Sequence, residues 1–531
     1  MSTEKKFYFA RKSTGLLKQI SLWEAIMFGS GPMGLFGISY VYLVYGSLFP
    51  GSNLVISALI SIGIFLCFAV TYTMLSISMP RSGGEYIFLS RTLGPFAGFV
   101  GSFWFYFLTA TWVGTGPAWM VHDGLNPMLW ALAKLTGNEA LITTSDMLNT
   151  NESIIVISLI ILGIMTGISM LGTRAWMKAF YVLYFTGVVS FIVYIVVALT
   201  GGGANFVSNF DAYSGTTVAT MIETANAEGF TTSGFSWSST MLGVIFTALS
   251  YTGFTLMMYV GGEIKEAQKN ILVSTFGALL IFAGGAIVTY AVSYLGFGIE
   301  VIRSLTYLWA TGNPAYPFPY GPFPHLLALF LTNNPVIVFI VGLSFLATVL
   351  IAMLGNMIAC QRCLFGWAFD RILPDRVSAV DMRRGVPYNA ALVTIVVAIV
   401  SMFLYVYTPV FQFFVYLTVS WMIVYIFVGF AGIAFPFRRK DIFDVAPAWT
   451  RRKIGNIPMV SIFGVITVIL AFILGIISML PAYTGAPINP LYISLIPIVF
   501  IMAIVIYGIS YAANKSRGIE LSLIFKELPP E

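Results

Sequence analysis

Histidine is nearly missing from this chain, with two in 531 residues, and cysteine is scarce, with three. The histidines, His122 and His325, fall in different connections between apolar runs, so no convergent set of nucleophile, acid and base is visible and an enzyme is not expected. Cys360 and Cys363 form a C-x-x-C, yet no second pair and no nearby histidine completes a metal or redox site, and Cys67 lies in another apolar run. These cysteines read as packing residues, with no metal and no cofactor. Charge is also sparse, at 9% Asp, Glu, Lys and Arg. The first residues, MSTEKKFYFARKSTGLLKQ, lack the short apolar core and small-residue cleavage site of a signal peptide and read as a cytoplasmic tail. No repeated filter sequence or charged ring suggests a channel.

What is present is apolar: 58% of residues are hydrophobic and the mean hydropathy is +0.90, so the main solvent of the chain is lipid. Runs long enough to cross a hydrocarbon core of ~30 Å lie near residues 24–48, 53–79, 95–121, 153–171, 176–200, 239–262, 271–298, 335–366, 388–407, 410–436, 458–480 and 489–512. The expected fold class is an all-α polytopic membrane protein of about twelve transmembrane helices. Alternate connections divide the basic residues unequally: of 27 Lys and Arg, all but Lys134 and Arg303 fall on the side of the N-terminus. This asymmetry places both termini in the cytoplasm of a multi-pass protein of the cell membrane. The net charge of +6 is then explained by topology and calls for no nucleic acid.

The first span contains Gly29-Ser30-Gly31-Pro32-Met33-Gly34, where proline removes a donor and glycine costs entropy, so the helix is expected to break. The sixth has its weak point at Ser250-Tyr251-Thr252-Gly253. The two are five spans apart, run in opposite directions, and suit equivalent members of an inverted repeat with a binding site between them. Pro32 is suited to start a new half-helix, leaving N–H groups near Gly31 to Gly34 for a carboxylate. Carbonyls from Ile26 to Gly29 and from Leu249 to Tyr251 suit an ammonium group. A zwitterion answers both ends.

Three segments also resemble the amino acid–polyamine–organocation (APC) superfamily of permeases. They are the Gly-Ser-Gly stretch of the first span, MPRSGGEYIFLSRTLGPFAGFVGSFWFY at 79–106, and ALSYTGFTLMMYVGGEIKEAQKNI at 248–271. The resemblance implies a five-plus-five inverted-repeat core with discontinuous helices 1 and 6, two additional helices, and transport by alternating access. The corresponding division is an N-tail (1–20), a first repeat (21–200), an outer loop (201–238), a second repeat (239–437), a cytoplasmic loop (438–457), helices 11 and 12 (458–512) and a C-tail (513–531). The resemblance places the substrate backbone on Ser30, Gly31 and Gly34 and the nearby carbonyls, and with the reading of the two breaks the candidate substrate residues are Ile26, Gly29, Ser30, Gly31, Gly34, Leu249, Ser250, Tyr251 and Gly253. Many relatives have an aromatic gate where this chain has Leu249, so Tyr251 is the substitute candidate. Proton-coupled relatives often carry a lysine in helix 5, whose approximate place here is Phe185. Sodium-coupled members use helix 8 hydroxyls, for which Ser344 and Thr348 are the candidates; the coupling ion, sodium or proton, stays open.

Glu24, a turn before the first break, is a candidate gate residue or an interfacial carboxylate. Glu263, Lys265, Glu266 and Lys269 read as a solvated face, and Arg81, Glu85 and Arg91 as a charge lock or as topology anchors. With no acid deep in the core, the expected function is secondary active transport of neutral amino acids. The alternatives are a polyamine or other organic-amine transporter or exchanger, and a receptor without transport.

Overall fold

The computed structural model describes residues 16–34, 37–381, 384–408, 417–484 and 490–528. Ser21 opens the first helix, α1 (Leu22–Ser30), through a reciprocal capping box with Glu24, and the chain resumes as α2 (Ile38–Gly46) after the glycine-rich turn. The second span is α3 (Leu54–Ser78), and a short helix, α4 (Glu85–Thr92), leads into α5 (Pro95–Met120). Through a π turn at Val121–Leu125 that helix continues as α6 (Asn126–Thr136), followed by α7 (Glu139–Leu148). Spans four and five are α8 (Asn151–Met170) and α9 (Thr173–Gly201). Two cap helices, α10 (Ala204–Tyr213) and α11 (Val218–Ala227), precede the sixth span, α12 (Trp237–Tyr251) and α13 (Leu256–Tyr259). Then come α14 (Ala267–Phe297), the cap helices α15 (Ile299–Ala310) and α16 (Pro324–Leu327), and α17 (Pro335–Phe369). The remaining spans are α18 (Tyr388–Tyr407), α19 (Leu417–Arg438), α21 (Met459–Ile477) and α23 (Pro490–Ser516), with short α20 (Lys440–Phe443), α22 (Pro481–Thr484) and α24 (Leu521–Ile524) between and after them.

Among the described residues, eleven helices are long and apolar enough to cross a membrane. The first span is not one of them because its break leaves two pieces of nine residues each. Joined across the turn, α1 and α2 bring the count to the expected twelve. The protein is an all-α polytopic membrane protein.

The long connections at 122–152 and 201–238 are largely helical, carrying α6, α7, α10 and α11, with Asn138 and Thr217 capping the starts of α7 and α11 through side-chain oxygens. Arg303 of α15 is buried and donates to the carbonyls of Ser52, Thr232 and Gly234, fastening α15 and the end of the 201–238 connection to the start of the second span.

Candidate functional site

The break in the first span is a tight turn. Gly31 still has helical dihedrals, Gly34 takes φ +97°, and a Cβ on Gly34 would stand 2.0 Å from Ile38 Cγ2, so only glycine fits. In this conformation the Gly31 N–H donates to Met27 O and the Gly34 N–H to Gly31 O, while the Gly37 N–H donates to Thr348 Oγ1 of α17 at 3.2 Å. Two of the donors expected to face a carboxylate are thus closed within the turn. The sixth span breaks two residues later than expected but overlapping the expected segment, in a 3-10 turn at Thr252–Thr255, where the Thr252 hydroxyl donates to Leu249 O at 2.7 Å.

The two breaks touch. A Cβ on Gly253 would lie 2.7 Å from Met33 N and 2.8 Å from the Pro32 carbonyl carbon. Ser30 Oγ donates to Ile26 O at 2.8 Å and lies 3.1 Å from the Tyr184 hydroxyl of α9. Ser250 Oγ and Tyr251 Oη are buried without partners, and the Tyr251 ring is wedged between Phe65 and Phe282. Ser344 and Thr348 both reach the Gly37 backbone: a Cβ there would meet Ser344 O at 2.5 Å and Thr348 Oγ1 at 2.7 Å. Ser344 Oγ is buried with no partner. Together these residues place hydroxyls, carbonyls and aromatic rings, and no formal charge, around the paired breaks.

Other candidates are placed elsewhere. Gly29 packs on α14, where its Cβ would stand 2.8 Å from Ala278 Cβ, and Ile26 lies against Gly277 of the same helix. Gly31 faces Ile351 of α17 and Phe180 of α9. Leu249 is half-buried, and its carbonyl is occupied by Thr252. Glu24 closes the capping box and pairs with Arg174 at 3.1 Å, so it sits at the helix start. Phe185 is 56% exposed and points away from the core; Tyr184, one residue earlier, faces Ser30. The helical stripe Phe180, Tyr184, Phe191, Tyr194 was the signal that identifies the inner face of α9.

Below the breaks, on the face that carries Gln19 and α4, the protein is closed by two buried ion pairs. Glu263 is fully buried rather than solvated: Arg362 of α17 holds it at 2.7 Å and Thr173 of α9 at 3.0 Å. Arg91 pairs with Asp370 and not with Glu85, bonding both carboxylate oxygens, and Tyr86 donates to the same acid at 2.8 Å. These pairs join residues more than ninety positions apart, which spacing along the chain does not reveal. On the other side of the breaks, Tyr42, Tyr45 and Tyr483 pack around Phe246. A cavity of about 580 Å³ opens beside Gly94, Arg438, Arg439 and Lys526, but no residue of either break lines it. It is therefore separate from the paired-break site.

The amino acid permease family model matches residues 20–504. The chain is also similar to the branched-chain amino acid permease BcaP of Lactococcus lactis subsp. cremoris (strain MG1363), with 26% identity over 359 residues, covering 66% of this chain and 68% of the relative. The match spans both broken helices and the ion-paired face, and the chain belongs to the amino acid permease family.

Proposed function

We propose that this permease is a secondary active transporter of neutral, preferentially aliphatic, amino acids, working by alternating access with its termini and its ion-paired face in the cytoplasm. The observation that carries this reading is the contact of Gly253 with the Pro32–Met33 peptide, which brings two broken helices of opposite direction to one place. The uncharged surroundings of Ser30, Tyr184, Ser250 and Tyr251 favour a substrate whose only charges are its own ammonium and carboxylate. The aliphatic preference is supported by the relative whose name gives branched-chain amino acids as its substrate. The asymmetric Lys and Arg distribution supports the orientation. The inverted repeats at 21–200 and 239–437 belong to the same proposal.

The test is uptake of a labelled amino-acid panel into proteoliposomes by wild type and Ser30→Ala. Saturable uptake of leucine, isoleucine or valine that Ser30→Ala weakens supports the reading. Uptake of amines alone overturns the substrate assignment. Gly31→Leu is a poor substitute, because a Cβ at 31 already lies 2.7 Å from Ile351 Cδ1 and would disturb packing.

A further inference from the structure

Glu85, the first residue of α4, is fully buried, yet neither carboxylate oxygen has a hydrogen-bond partner. Its surroundings come from five elements: Tyr72 of α3, Thr255 of the 3-10 turn, Tyr259 of α13, Cys363 of α17 and Tyr425 of α19. The hydroxyls of Tyr72, Tyr259 and Tyr425 are themselves buried and unpartnered, and that of Thr255 donates to Thr252 O. None of these groups carries a positive charge; of the arginines of this face, Arg91 and Arg362 are held by Asp370 and Glu263, and Arg81 donates to the Pro80 carbonyl.

The backbone fixes the carboxyl in this place. Gly84, at φ +56°, lies against the Tyr259 ring, where a Cβ would stand 2.4 Å from Cε2, and the Gly83 N–H donates to Tyr259 O at 3.1 Å. Tyr259 in turn stacks on Phe105 of α5 at 4.1 Å. An ionised carboxylate without a cation or well-formed hydrogen bonds is strongly disfavoured in such surroundings, whereas a protonated one is tolerated. Burial accordingly pushes the Glu85 carboxyl up from 4.5 to about 7, against smaller opposing effects of the Tyr259, Tyr72 and Thr255 hydroxyls.

We propose that Glu85 is a proton-binding site of this transporter, holding a proton while α4 is packed against α13 and releasing it to water when the two separate. The inference rests on the transport reading above and adds its coupling ion. On release the carboxyl O–H bond breaks, the proton passes to cytoplasmic water or buffer, and the carboxylate remains. On reclosure a proton arrives from the side of the sixth-span break, where Thr255 adjoins both the carboxyl and the break. One proton is thereby exchanged for each opening and closing of this face.

Two measurements test the site. The first is infrared difference spectroscopy of the purified, substrate-free protein across neutral pH. A protonated-carboxyl carbonyl band is expected to vanish with a midpoint near 7 in wild type and to be missing in Glu85→Gln, with the midpoint displaced in Tyr259→Phe. A wild type without such a band, or a band that survives in Glu85→Gln, overturns the proposal. The second is uptake into proteoliposomes with an alkaline lumen. A gradient of about one pH unit is expected to drive about tenfold accumulation by wild type, while Glu85→Gln only equilibrates and still exchanges internal for external substrate. PH-driven accumulation by Glu85→Gln, or transport by wild type indifferent to the gradient, overturns the coupling. If wild type moves no amino acid while the infrared band titrates, the transport reading fails and the proton site stands.

Discussion

Gly253 rests directly on the backbone of Met33, with room for no side chain between them: a Cβ would come within 2.7 Å of the Met33 nitrogen. Backbone atoms have no rotamer with which to move aside. Gly253→Ala is therefore expected to separate the breaks, to destabilise the protein by about 1–3 kcal/mol and to slow uptake. Thermal unfolding in detergent and initial uptake rates check both; a variant unchanged in both means that the helices are not so closely paired.

Thr348 supplies the acceptor for the Gly37 N–H. Thr348→Val keeps the shape and removes that acceptor, leaving a buried donor at a cost of about 1–3 kcal/mol. If Ser344 and Thr348 also hold a coupling cation, Thr348→Val raises the sodium concentration for half-maximal uptake. If Glu85 carries the coupling instead, the variant loses stability while its uptake remains insensitive to sodium.

The buried pair Glu263–Arg362 gives a double-mutant prediction. Arg362→Ala or Glu263→Ala alone leaves an uncompensated buried charge, with an expected loss of about 3–5 kcal/mol. The double variant is expected to recover part of it, because no unpaired charge remains. Denaturation of all four proteins measures the coupling, and simple additivity would show that the two side chains do not interact.

Stability is expected to depend on pH through Glu85. Below 4.5 the carboxyl is protonated in both the folded and unfolded chain and contributes no dependence. Between 4.5 and about 7 the folded chain keeps a proton that the unfolded chain has released, so stability falls as pH rises and levels off above about 7. The full change is about 3 kcal/mol. Glu85→Gln removes this slope, which thermal unfolding across the window detects.

The spans and the first break are legible because twenty-residue apolar runs and a Gly-Pro cluster act locally, whereas the sixth span offers a single glycine, Gly253, and its break is placed only to within two residues. The contact partners are not legible. Phe185, the approximate place of the helix 5 lysine of proton-coupled relatives, faces outward while Tyr184 beside it meets Ser30, and only the helical phase separates the two. Glu263 read as solvated because its neighbours in sequence are Lys265 and Glu266, whereas its neighbours in space are Arg362 and Thr173. Arg81, Glu85 and Arg91 read as a charge lock or as topology anchors; α4 sends Glu85 toward a cluster of tyrosines and Arg91 toward Asp370.

The N–H groups of Gln19 and Ile20 both donate to Glu263 O, and the Lys265 N–H donates to Ile20 O, so the entry to α1 and the exit from α13 share a backbone seam. At the other end of the same half-helices, Gly253 is seated on Pro32 and Met33. Fastened at both ends, α1 and α13 are tied to each other through main-chain atoms alone, and the side chain of Glu263 then anchors that unit to Arg362 of α17 and Thr173 of α9.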